Sequence, residues 1–149
     1  MFQRYNGAAR RALFFARHEV SELGSRSIET EHLLIGMLCA AKGSTARIFA
    51  DAQLTLDAVR TEVQRRGPAG EKIPTTVEIP FSEETKRILR SAPDQADDLG
   101  DDFVGIEHLV LSILQEPATA GARMLLSRGV TSSRVQQAIV QFRRESAET

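Results

Sequence analysis

Glu31-His32-Leu33 returns as Glu107-His108-Leu109, 76 residues later, and the same offset carries far beyond these residues. Leu13, Ala16, Leu23, Gly24, Ala46, Arg47 and Val59 meet Leu89, Ala92, Leu99, Gly100, Ala122, Arg123 and Val135. Ile48 meets Met124, Phe49 meets Leu125 and Val63 meets Ile139, and no gap is needed between 6–66 and 82–142. A chain under this constraint builds one unit twice. Two copies are too few for a solenoid. The expectation is therefore one domain over 1–149, with repeat one at 1–66, a linker at 67–80 and repeat two at 81–149, related by a pseudo-twofold axis.

Each unit reads as four helices. Asn6 is a good N-cap, and Ala9, Ala12, Leu13, Ala16, Val20 and Leu23 recur at helical spacing until Gly24 stops the helix. Thr30 is the expected N-cap of a second helix reaching toward Gly43, with Leu33, Leu34, Met37 and Leu38 facing inward. Shorter helices follow over 45–52 and 56–66, the latter capped by Thr55 and ended by Gly67 and Pro68. The second unit runs from Ser82 to Leu99, then over 106–116, 119–126 and 132–144, with the tail 145–149 fraying. Pro93 predicts a kink or a lost backbone bond near Leu89, because proline has no N–H and its ring crowds the preceding turn. The prolines and glycines of 67–80 exclude a helix there, and 75–79 alone makes no sheet. The predicted class is all-α, with about eight helices in two four-helix repeats.

Composition narrows the function. The formal net charge of −1 argues against a general nucleic-acid binder, which needs a basic footprint. No apolar run reaches the roughly 18 residues of a membrane span, and Met1 to Asn6 lacks the apolar core of a signal peptide. With one cysteine there is no intramolecular disulfide, and a reducing cytoplasm is the expected compartment. Cys39 has apolar helix neighbours and reads as packing, not as a nucleophile. Neither a phosphate-cradling Gly-x-x-x-x-Gly-Lys-Ser/Thr loop nor a Gly-x-Ser-x-Gly elbow is present, so no enzymatic activity and no cofactor are expected of these residues.

The Glu-His pairs remain. Adjacent helical residues point about 100° apart, and no second histidine stands four residues on, so a metal site is not favoured. An acid in the first helical turn suits the helix dipole and the free N–H groups. Held at a surface cleft, the same carboxylate could take a cationic group, best a guanidinium. Asn6 and Ser82, one offset apart, open helices whose free N–H groups are anion sites.

Phe2-x-Arg4-Tyr5, Leu23-Gly24, Thr30-Glu31-His32-Leu33-Leu34-Ile35-Gly36-Met37-Leu38 and the echo Gly105-Ile106-Glu107-His108-Leu109 resemble the Clp N-terminal domain. This is the double repeat that opens the Clp/Hsp100 unfoldases, and the ClpC type is nearest. The resemblance implies a non-enzymatic module that recruits protein substrates or adaptor proteins to a Clp ATPase. In ClpC-like members it also implies phosphoarginine binding, with Glu31 and Glu107 taking the guanidinium and the helix openers Asn6 and Ser82 the phosphate. Asn6 stands where the family has threonine, Glu29 where it has glycine and Ile106 where it has threonine. With each opener serving its own repeat, the ligand should prefer Glu107, beside Ser82. The competing reading is a ligand-sensing or interaction protein with this fold and no Clp partner.

Overall fold

The structure is a computed structural model that describes residues 1–67 and 69–148. Pro68, expected to help end a helix, and Thr149, in the expected frayed tail, lie outside the described residues. Among the described residues eight helices follow in order: α1 Gly7–Leu23, α2 Thr30–Ala40, α3 Gly43–Asp51, α4 Leu56–Arg66, α5 Glu83–Asp98, α6 Ile106–Leu114, α7 Ala120–Ser127 and α8 Ser132–Glu148. The class is all-α. Among the described residues the only β pairings are isolated bridges, Tyr5 with Val104 and Ile28 with Phe81.

Those two bridges are one contact made twice. Asn6 N–H donates to the Val104 carbonyl at 2.9 Å, and Val104 N–H donates to the Arg4 carbonyl at 2.8 Å. One offset later, Ser82 N–H donates to the Ile28 carbonyl at 3.1 Å, and Ile28 N–H donates to the Pro80 carbonyl at 2.8 Å. Each unit's entry segment thus pairs with the other unit's loop ahead of its motif helix.

The caps follow the sequence closely. Asn6 Oδ1 accepts from Ala9 N–H at 2.9 Å, Ser82 Oγ from Thr85 N–H at 3.2 Å and Thr55 Oγ1 from Ala58 N–H at 3.1 Å. Gly24 closes α1 at φ 70°, a left-handed conformation that glycine adopts without penalty.

α2 and α6 are the central helices. Leu33 to Met37 are all buried, as are Leu109 to Leu114, so neither helix keeps a polar face. A helix apolar all round belongs in a core, and each large aliphatic side chain buried there contributes about 1.5–3 kcal/mol. Among the described residues no single helix is long and apolar enough to cross a membrane. The linker is docked against α1. Gly70 N–H donates to the Leu23 carbonyl and Ile73 N–H to the Ser21 carbonyl, both at 2.8 Å. Ile79 joins Ala16, Val20 and Ile28 in a small second core.

The backbone bond expected to be lost near Leu89 is lost, while other local expectations need correction. α5 continues through Pro93 without interruption. Proline leaves the Leu89 carbonyl without its helical donor, and the Tyr5 hydroxyl fills the gap at 2.6 Å. The tail does not fray at Glu145. α8 runs to Glu148, with Glu145 accepting from Arg47 and from Gln141. The cap of α2 is Glu29, not Thr30, whose hydroxyl instead accepts the Gly121 N–H at 2.9 Å from α7. Cys39 is exposed instead of packed, since α2 turns Leu34, Met37 and Ala40 inward.

Candidate functional site

The motif histidines are caps. His32 Nδ1 accepts the Glu29 N–H at 2.9 Å, and His108 Nδ1 accepts the Gly105 N–H at 2.8 Å. Each imidazole sits three residues into its motif and reaches back to an N–H that the first helical turn leaves unpaired. Both rings are buried. Among the described residues no three His, Cys, Asp or Glu side chains converge as a metal ion requires.

His108 has a further partner. Its Nε2 lies 2.7 Å from Asp101 Oδ2, which also accepts from Arg143 Nη2 at 2.7 Å. Burial pulls the Asp101 carboxyl upward, but the hydrogen bonds from Arg143 and His108 outweigh it and hold the group below its usual value. The chain Gly105–His108–Asp101–Arg143 thereby ties the start of α6 to α8.

Glu107 lines a cleft of about 260 Å³ with Asn6, Lys42, Thr45 and Arg143. The starts of α1, α3 and α6 meet there, so helix N-termini and two cations surround a single half-buried carboxylate. Gly105 is what permits the arrangement. A Cβ at that position would fall 1.8 Å from Glu107 Oε1 and 3.0 Å from Asn6 Nδ2. The cleft can therefore take a ligand carrying both signs of charge: a guanidinium on Glu107, with an anion toward Lys42, Arg143 and the helix starts.

The grouping expected from sequence is overturned. Asn6 and Glu107 come together across the repeats, whereas Ser82 is hydrogen-bonded to Ile28, three residues before Glu31. The reason is the crossed pairing of the entry segments. The two sites also differ in charge. The residues matching Lys42 and Arg143 by the offset are Ala118 and Gly67, so the Glu31 side has neither cation. It carries Glu29 in place of Gly105. Lys42 and Arg143 lie outside the motif, and no spacing in the sequence marks them.

The family described as the Clp repeat (R) N-terminal domain matches residues 4–128. The chain belongs to the Clp N-terminal domain family. It is 30% identical over its whole length to the chloroplastic chaperone protein ClpC of Pisum sativum, and spans 16% of that relative's length. The N-terminal domain of ClpD from Arabidopsis thaliana superposes with a TM-score of 0.75 at 22% identity, covering 95% of this chain and 98% of that one. A ClpV N-domain solved in complex with a VipB peptide gives a TM-score of 0.73 at 18% identity, covering 98% of this chain and 91% of that one. These structures share the Clp N-domain's all-α fold.

In this Clp N-domain the buried cap gives a pH prediction. Burial pushes the His32 imidazole below its ordinary value of 6.5, against the upward pull of Glu31, Glu29 and Glu19. The unfolded chain then binds a proton more readily than the fold, so stability falls as the pH drops through the ordinary value toward the depressed one. Between about pH 7.5 and about pH 5.5 the melting temperature should fall more for the wild type than for His32→Gln, which keeps an acceptor without titrating. Equal falls in calorimetric melts would show that this imidazole does not carry the acid sensitivity.

Proposed function

We propose that the two repeats form one non-enzymatic protein-recognition module of a Clp system. In this reading the Asn6–Glu107 cleft receives phosphoarginine-marked partner segments. The observation that carries it is the placement of one carboxylate, two cations and three helix starts around a single cleft. A phosphoarginine side chain has the matching order of charges, guanidinium first and phosphate beyond it. Glu107 takes the planar guanidinium, and Lys42, Arg143 and the α1 and α3 starts face the phosphate. The ClpC relative is named a chaperone, and the ClpV N-domain was solved with a peptide, which supports a role in binding polypeptide. Preference for the Glu107 side rests on Lys42 and Arg143, and not on the Ser82 hydroxyl.

Calorimetric titration with a phosphoarginine peptide tests this. A hydrogen bond to a charged group contributes about 1.5–3 kcal/mol, so Glu107→Gln should weaken binding about tenfold or more. Glu31→Gln should change it by less than about twofold, and Lys42→Met should weaken it without altering the fold. Wild type that binds phosphoarginine and unmodified arginine peptides equally, or neither, would refute the phosphoarginine reading.

A further inference from the structure

The ends of α3 and α7 hold two clefts that share no lining residue with the Glu107 site. One, of about 410 Å³, has buried Ile48 and Val130 beneath exposed Arg128 and Arg134, with Asp51 at its edge. The other, of about 350 Å³, has buried Leu54 and Met124 beneath exposed Arg66, Arg123 and Arg128, with Glu62 at its edge. The floors match by the internal offset, Ile48 with Met124 and Leu54 with Val130, so the two clefts are copies of one feature. Arg128 lines both and makes them neighbours.

Backbone carbonyls hold two of the four arginines, Arg128 and Arg134, and Arg66 lies 3.7 Å from Glu62. Gln53 and Gly129, also one offset apart, have φ of 54° and 77°. Gln53 is the only non-glycine with positive φ among the described residues, a conformation that side chains of this kind rarely keep without a tertiary reason. Its carbonyl accepts Arg128 Nη1 at 2.8 Å, and the Gly129 carbonyl accepts Arg134 Nη1 at 3.1 Å. Each of these contacts uses one of a guanidinium's five donors. Four arginines thus stand against Asp51 and Glu62 in a chain whose net charge is −1.

We infer that this double cleft docks a segment of a partner protein in which carboxylates flank apolar side chains. The apolar groups fill the two floors, and the carboxylates take paired N–H donors from the arginine rim, with Arg128 between them. Planar guanidinia suit carboxylates in this way, and an apolar floor with a polar rim is the common anatomy of a protein interface.

The probe is a short fluorescein-labelled peptide of alternating Glu and Leu, followed by fluorescence polarisation with the full chain. The peptide should bind, and added salt should weaken it. Arg128→Glu should weaken binding about tenfold or more, while Arg144→Glu, the same charge change outside both clefts, should leave it unchanged. Because Arg128 also holds the Gln53 carbonyl, Arg123→Glu serves as a second variant. It should weaken binding comparably with its melting temperature kept. The inference is overturned if the wild type does not bind, if a Lys-Leu peptide binds as well, or if both cleft variants bind like the wild type. Two further results would also overturn it: a single-stranded oligonucleotide displacing the peptide at lower concentration, or sedimentation showing the clefts filled by a second copy of the chain.

Discussion

Gly36→Ala should destabilise the fold by about 3 kcal/mol, at the upper end of what an added core methyl group usually costs. A Cβ on Gly36 would lie 2.0 Å from the Ala12 carbonyl oxygen and 2.8 Å from the Ala16 nitrogen. Both are backbone atoms of α1, so no side chain can rotate away, and α1 and α2 would have to separate along their contact. Intrinsic helix propensity favours alanine over glycine by about 1 kcal/mol, too little to offset that clash. Repeat two shows the alternative solution. Ser112 occupies the matching place, and its Oγ donates to the Ile88 carbonyl at 2.7 Å, where Ile88 is the counterpart of Ala12. Small residues on α1 and α2 allow a close approach, whereas α5 and α6 are joined through a hydroxyl. Urea denaturation of wild type and Gly36→Ala measures the difference. A loss below about 0.5 kcal/mol would mean that the α1–α2 contact can open without penalty.

Tyr5→Phe should cost about 1–3 kcal/mol, since it leaves the buried Leu89 carbonyl without a donor. The hydroxyl reaches that carbonyl at 2.6 Å across 84 residues of sequence, and burial pushes its own titration above the ordinary value. The internal repeat supplies the control. The counterpart of Pro93 is Arg17, which has an N–H, and the counterpart of Tyr5 is Phe81, which has no hydroxyl. Where the helix keeps its donor, phenylalanine suffices. In a Pro93→Arg background, Tyr5→Phe should therefore cost less than in the wild type, and the double-mutant cycle should show coupling of about 0.5 kcal/mol or more. A cost that is the same in both backgrounds would leave the hydroxyl unrelated to the proline.

The residues themselves determined whatever depends on near neighbours. Asn6, Thr55 and Ser82 cap helices through bonds to N–H groups three residues on, and Gly24 stops α1 through its own φ. Apolar periodicity placed the eight helices, and the 76-residue offset showed that four of them repeat four others. It also put Glu31 and Glu107 in first helical turns, as they are. Even the local reading missed Glu29 as a cap, because the His32 imidazole and the contact of Thr30 with Gly121 decide where α2 begins. Only the tertiary structure decided which residues share a cleft. Asn6 meets Glu107, and Lys42 and Arg143 join them, because the entry segments cross between the repeats. The Tyr5–Leu89 and Asp101–Arg143 contacts are likewise products of packing. Helical spacing encodes which face of one helix turns inward, but it carries no information about which distant face comes to meet it.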